Sequence, residues 1–141
     1  MKDAPPAMKK RAFLIFCAVG LVPIALGYGA KPSTSLDALF GITVDTINLT
    51  HIMRAVMGLY LGMVVIWIWG AFNRRMSAAA LVSCAVFMLG LAAGRVLSLV
   101  LDGMPHWLLV VYAILEIVLG IGAIAIYRSE ISGETAAASQ L

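Results

Sequence analysis

Four long apolar segments constrain this chain more than any other feature of its sequence. They lie at about residues 12–28, 47–72, 78–101 and 107–127. A run of about 18 or more apolar residues can cross a membrane as a helix, because about 20 residues span a hydrocarbon core of about 30 Å. A soluble domain of 141 residues that is 62% hydrophobic and 12% charged could not hide so much apolar surface from water. The sequence therefore predicts one membrane domain whose solvent is lipid.

The connections between the segments predict how the helices are arranged. Residues 73–76 form a tight basic turn, and residues 102–106 form a short loop whose Gly and Pro end one helix and start the next. Short connections make consecutive helices antiparallel neighbours. We therefore expect an all-α membrane protein, an antiparallel bundle of four transmembrane helices within residues 12–128. A basic cytoplasmic segment at 1–11 precedes it, and a flexible cytoplasmic tail at 129–141 follows.

The longest connection, residues 29–46, is predicted to contain a short extra helix. Residues 34–37 read TSLD, which fits a capping box at a helix start with Asp in the acidic position. Leu36, Leu39 and Phe40 then repeat at the spacing of an amphipathic turn. This pattern indicates an amphipathic interfacial helix between the first and second spans, lying on the membrane surface or over an opening in the bundle.

The basic residues predict the orientation of the bundle. Short cytoplasmic loops carry an excess of Lys and Arg. With both termini in the cytoplasm, the outer loops hold only Lys31 and the cytoplasmic side holds the other terminal and loop cations: Lys2, Lys9, Lys10, Arg11, Arg74, Arg75 and Arg128. Because these charges flank apolar segments, they indicate topology and not nucleic-acid binding. The N-terminus has an alternative interpretation, a cleaved signal peptide with its cleavage site near residues 25–27.

Three ionisable residues lie inside the predicted spans. From the helix rise, Arg54, Arg95 and Glu116 lie about 10, 9 and 13 Å from the outer boundary, so they occupy one layer. A lone charge within a membrane is costly. We therefore expect the two arginines and Glu116 to form an ion-pair cluster. Asp102 is expected to add a further negative charge, since it lies two turns beyond Arg95 on the same helix face.

Other polar residues, and several small ones, lie on the same helix faces as these charged residues. Ser98 lies between Arg95 and Asp102, His51 precedes Arg54 by three residues, and Tyr112 precedes Glu116 by four, so each shares a helix face with a charged residue. Small residues indicate that the same faces of the second, third and fourth spans look inward: Gly58, Gly62, Gly90, Gly94 and Gly120.

These residues leave several functions open. The cluster is consistent with a binding or accessory protein that recognises an anionic or polar small ligand, a lipid headgroup or a partner subunit, or that assembles as a homo-oligomer. The alternatives are a small proton-coupled carrier in which Glu116 titrates and a purely structural ion-pair network. An enzyme is disfavoured, since no nucleophile motif is present. The cysteines and histidines lack metal-binding spacing, so neither a metal nor another cofactor is expected.

Two sequence elements resemble a known family. Residues 54–60 read RAVMGLY, and residues 94–105 read GRVLSLVLDGMP. Both are similar to recurring motifs of the domain-of-unknown-function 4345 family, small bacterial inner-membrane proteins with four helices. Glu116 followed by Gly120 also fits that family. The resemblance implies a four-span fold in the bacterial inner membrane and one recurring site that contains Arg54, Arg95, Asp102 and Glu116. It implies no activity.

Overall fold

The chain is almost entirely helical over the residues that its computed structural model describes. These are residues 8–138, apart from the side chains of 130 and 132–138. The helices follow in the order α1 (Met8–Gly29), α2 (Pro32–Phe40), α3 (Ile47–Phe72), α4 (Arg74–Leu101) and α5 (Trp107–Ala138). Four of them, all except α2, are long and apolar enough to cross a membrane. The predicted all-α membrane bundle is thus confirmed.

The helix ends differ in detail from the predicted boundaries. α1 begins at Met8, before the predicted start at residue 12, and α5 continues to Ala138 into the segment predicted as a tail. The predicted segment 1–11 and the tail lie partly outside the described residues, at 1–7 and 139–141. The span boundaries in the sequence analysis followed hydropathy, whereas a helix extends past the last apolar residue as long as its backbone hydrogen bonds continue.

A single residue forms the turn between α3 and α4. The side chain of Asn73 accepts hydrogen bonds from the backbone N–H of Arg75 at 2.9 Å and of Met76 at 3.3 Å. This N-cap starts α4 at Arg74, one residue after α3 ends. The predicted four-residue turn is therefore shorter in the structure, and α3 and α4 are adjacent and antiparallel. We call this the Asn73 end of the bundle, and the opposite end the α2 end.

The spans pack as two tight pairs. α1 packs mainly on α3, α5 packs mainly on α4, and the contact between α3 and α4 joins the pairs. Close approach depends on small residues: a Cβ at Gly70 would overlap Ala80, and one at Gly120 would overlap Leu89. α1 and α5 make few contacts with each other. This arrangement leaves the bundle open along the line between α1 and α5.

α2 lies across the α2 end of α1 and α3, where the sequence predicts an interfacial helix. It begins at Pro32, because proline is well suited to the first turn of a helix, and no side chain caps it. The capping box predicted at residues 34–37 is therefore wrong. Instead, the hydroxyl of Ser35 lies 2.6 Å from the carbonyl oxygen of Gly27, which ties α2 to α1. Leu36 is only 2% exposed and anchors the apolar side of α2.

Candidate functional site

The central feature of the candidate site is an ion pair between α4 and α5. The Nε of Arg95 donates to both carboxylate oxygens of Glu116, at 3.0 Å to Oε1 and 2.9 Å to Oε2. The Glu116 residue is only 7% exposed. Because both oxygens engage a single nitrogen, the four terminal N–H donors of the guanidinium make no bond to Glu116. Arg95 can therefore donate hydrogen bonds from these groups to another acceptor.

Aromatic side chains surround this pair on the side of α1 and α2. The Arg95 guanidinium carbon lies 5.7 Å from the centre of the Tyr112 ring, within the range of a cation–π contact. Tyr28 stacks on Phe40 with ring centres 6.2 Å apart and meets Tyr60 edge to face at 5.7 Å. Tyr112 was predicted as a site residue, whereas Tyr28, Phe40 and Tyr60 were not. The aromatic end of the first span is the signal that could have found Tyr28, and the amphipathic pattern of α2, a helix predicted to lie over the bundle, could have found Phe40.

Asp102 and Ser98 form a separate polar pair at the end of α4. The Ser98 hydroxyl donates to Oδ2 of Asp102 at 2.7 Å, and the Asp102 backbone N–H donates to the Ser98 carbonyl. Both side chains are exposed. The structure thus gives Asp102 a role at the helix end and does not bring it into contact with Arg95.

Arg54 and His51 lie away from the pair. Both side chains are exposed on α3. Among the residues that the structure describes, Arg54 has no ion-pair or hydrogen-bond partner. The buried face of α3 is centred on Tyr60 and Trp67, and Arg54 is about 120° around the helix from Tyr60. The structure therefore joins Arg95, Glu116 and Tyr112, while Arg54, His51 and Asp102 lie outside this group.

An apolar cleft lies beside Glu116, in the gap between α1 and α5. Its cavity has a volume of about 140 Å³. Phe16, Gly20 and Ile24 of α1 form one wall, and Leu115 and Leu119 of α5 form the other. Residues of α3 and α4 line its base: Tyr60, Met88 and Leu91. Glu116 is the only charged residue among those that line the cleft, so its walls are apolar except for one carboxylate.

Two further cavities border the pair. One of about 230 Å³ lies under α2, lined by Tyr28 and Phe40, and it shares Ile24 and Tyr112 with the cleft. Another of about 110 Å³ lies between α4 and α5 and is lined by Arg95 and Ser98. Glu116 thus lines the α1–α5 cleft and Arg95 lines the cavity between α4 and α5. The Arg95 guanidinium also lies over the ring of Tyr112, which lines both the cleft and the cavity under α2. Within the described residues, no three metal-binding side chains come together.

The fold and this site define a class: small, all-α, multi-pass membrane proteins with an Arg–Glu pair between two spanning helices. Residues 9–127 match the family model described as "Domain of unknown function (DUF4345)", so the chain belongs to that family. The predicted family membership is confirmed. No curated protein matches the chain, and no solved structure does.

Proposed function

We propose that this protein binds a small amphipathic ligand, placing the apolar body in the α1–α5 cleft and the polar head against the Arg95–Glu116 pair. The observation that carries the proposal is the position of Glu116, a charged side chain in the wall of an otherwise apolar cleft. Ligand sites are commonly apolar cavities with a few placed polar groups. The opening between α1 and α5 faces sideways, so a ligand dissolved in the bilayer can enter without crossing water.

The donor and acceptor balance of the pair favours a head group that accepts hydrogen bonds. Both Glu116 oxygens already accept from Nε of Arg95, whereas the terminal N–H groups of the guanidinium donate nothing to Glu116. A guanidinium binds carboxylate and phosphate well because its planar fork matches two acceptor oxygens. The preferred ligand is therefore an amphipath with a carboxylate, phosphate or carbonyl head. That head binds at the guanidinium, beside Tyr112, and not next to the Glu116 carboxylate, which would repel an anion.

The size of the cleft favours a slender ligand body. A volume of about 140 Å³ accommodates part of an alkyl chain or a single ring, and the cleft shares the wall residues Ile24 and Tyr112 with a second cavity of about 230 Å³. Gly20 widens the cleft, since a Cβ at this position would meet no atom within 4 Å. The side chains of Phe16 and Leu115 are exposed at the rim and would contact the ligand as it enters.

A carrier, the alternative from the sequence, is not favoured by the packing between Glu116 and the Asn73 end. Four residues are almost fully buried in this half of the bundle: Leu14, Trp67, Leu81 and Cys84. They belong to one continuous apolar core. A solute or proton would need a continuous polar route through this core, where the buried polar atoms without a partner among the described residues are Nε1 of Trp67 and Oγ of Ser77.

The proposal is tested with photoreactive ligands in protein-containing nanodiscs. Three probes share one alkyl chain with a diazirine and differ in the head: a carboxylate, an alcohol and a primary amine. We expect the carboxylate to label α1 and α5 residues around Phe16 and Leu115 more strongly than the amine, because Arg95 attracts an acceptor and repels a cation. Equal labelling by the three heads, or labelling spread over all lipid-facing surfaces, would contradict the proposal.

A further inference from the structure

Arg54 is a cation on the exposed face of α3, with no ion-pair partner among the residues that the structure describes. It lies seven residues after the start of α3, or about 10 Å along the helix. Its side chain is exposed, and it contacts no acid among the described residues. Asp45, the nearest acid in the sequence, precedes α3 and makes no ion pair with it. Because an uncompensated charge at this depth is costly, an anionic group beside Arg54 would stabilise it.

Two more basic side chains lie at the same place. His51 is exposed one turn before Arg54 on α3. Gly29, at the end of α1, packs against the Met57 side chain and the Met53 carbonyl, so the chain leaves α1 beside this part of α3. Lys31 follows two residues later with an exposed side chain. The junction of α1 and α3 thus gathers two permanent cations and a histidine near the α2 end of the bundle.

We propose that this junction, formed by Arg54 with His51 and Lys31, binds the phosphate of a membrane lipid. The side chain of Arg54 is long enough to extend along the helix to the headgroup region, as arginines near span ends do. Its fork binds two phosphate oxygens, while Lys31 adds charge and His51 adds a hydrogen bond. One turn further into the span, Gly58 leaves open space beside α3, where an acyl chain of the bound lipid passes.

Charge complementarity favours a lipid over a second copy of the chain. Within the four candidate spans, the only acid among the described residues is Glu116, which is buried and already paired with Arg95. A second copy therefore offers no free carboxylate within its spans, and at the boundary it offers only a few exposed acids such as Asp45 and Asp102. Phospholipids, in contrast, surround the bundle and supply a phosphate at the membrane boundary on every side of it.

This site is separate from the ligand cleft. Arg54 is about 120° around α3 from Tyr60, which lines the base of the cleft. Loss of the phosphate site therefore leaves ligand labelling at Phe16 and Leu115 unchanged, and loss of the cleft leaves lipid binding unchanged.

Native mass spectrometry of the full chain, in a neutral detergent with added lipid, tests the proposal. The two probes are phosphatidylglycerol and a diacylglycerol with the same acyl chains, which lacks the phosphate. We expect the protein to retain phosphatidylglycerol and not diacylglycerol. Arg54→Gln lowers the affinity about tenfold, as expected for one lost hydrogen-bonded charge contact. Arg74→Gln, the matched change at an exposed arginine of the Asn73 end, changes it by less than about twofold.

Three outcomes would overturn the proposal: equal retention of both lipids, equal loss in the Arg54→Gln and Arg74→Gln proteins, or a wild-type dimer that Arg54→Gln dissociates. The last would assign the junction to a protein interface. Arg54→Lys serves as a folding control that keeps the charge. It is expected to bind more weakly than wild type and more tightly than Arg54→Gln, because lysine lacks the planar fork.

Discussion

Both carboxylate oxygens of Glu116 share one donor, the Nε of Arg95, at 3.0 and 2.9 Å. This bond joins α4 to α5 at the edge of the α1–α5 cleft. Removing one partner of a buried charged pair destabilises the fold, because the other charge is left buried alone. Replacing both partners with apolar residues changes the stability much less. The relationship therefore has a measurable consequence for stability.

Glu116→Gln is expected to destabilise the bundle by about 3 to 5 kcal/mol, the cost of leaving Arg95 without its counter-charge. The double variant Arg95→Leu with Glu116→Met is expected to recover most of that loss, because it removes both charges together. Unfolding in detergent micelles, followed by circular dichroism, measures both values. A double variant no more stable than Glu116→Gln would show that the pair contributes more than mutual neutralisation.

Gly70 permits the closest contact between α3 and α4, because a Cβ at this position would overlap Ala80. Gly70→Ala is therefore expected to destabilise the fold by about 1 to 3 kcal/mol through overpacking. Gly62→Ala is the matched control on the same helix, where a Cβ meets no atom within 4 Å. It is expected to be neutral or stabilising by up to about 1 kcal/mol, since alanine favours the helix. Similar melting temperatures for the two variants would contradict the packing of α3 on α4.

The orientation predicted from the basic residues is tested by cysteine labelling in intact cells. The native cysteines are free and buried, so they give little background. With both termini in the cytoplasm, Met104→Cys is expected to react with a membrane-impermeant maleimide from outside. Arg74→Cys is expected to react only after the cells are permeabilised. The reverse pattern would invert the orientation, and labelling of both sites from outside would contradict the span assignment.

The fold was predictable because length and hydropathy decide which segments span a membrane, and short connections decide which helices are neighbours. Helix rise also placed Arg95 and Glu116 at similar depth, and the structure brings these two together. Depth alone does not give the direction in which a side chain points around the helix. Arg54 shares that depth, yet it faces outward, because the aromatic residues Tyr60 and Trp67 form the buried face of α3.

The glycine spacing also predicted the wrong inward-facing sides of α3 and α4. Gly58, Gly62, Gly90 and Gly94 were expected on inward faces, and all four are exposed with open space beside them. Gly120 of α5, expected inward for the same reason, is buried against Leu89. A glycine spacing shows that a close approach is possible on that face, but it does not show that a helix of the same chain makes it. The cleft itself could not be predicted, since it results from the weak contact between α1 and α5, which no local pattern encodes.

The central claim, that the α1–α5 cleft holds a ligand, is tested most directly by filling the cleft. Gly20→Leu adds a side chain to the open space in its wall, and Gly90→Leu adds the same side chain to an exposed face of α4 away from the cleft. We predict that Gly20→Leu reduces labelling of Leu115 by the carboxylate photoprobe to background, while Gly90→Leu labels as wild type does. Wild-type labelling of the Gly20→Leu protein would contradict the account.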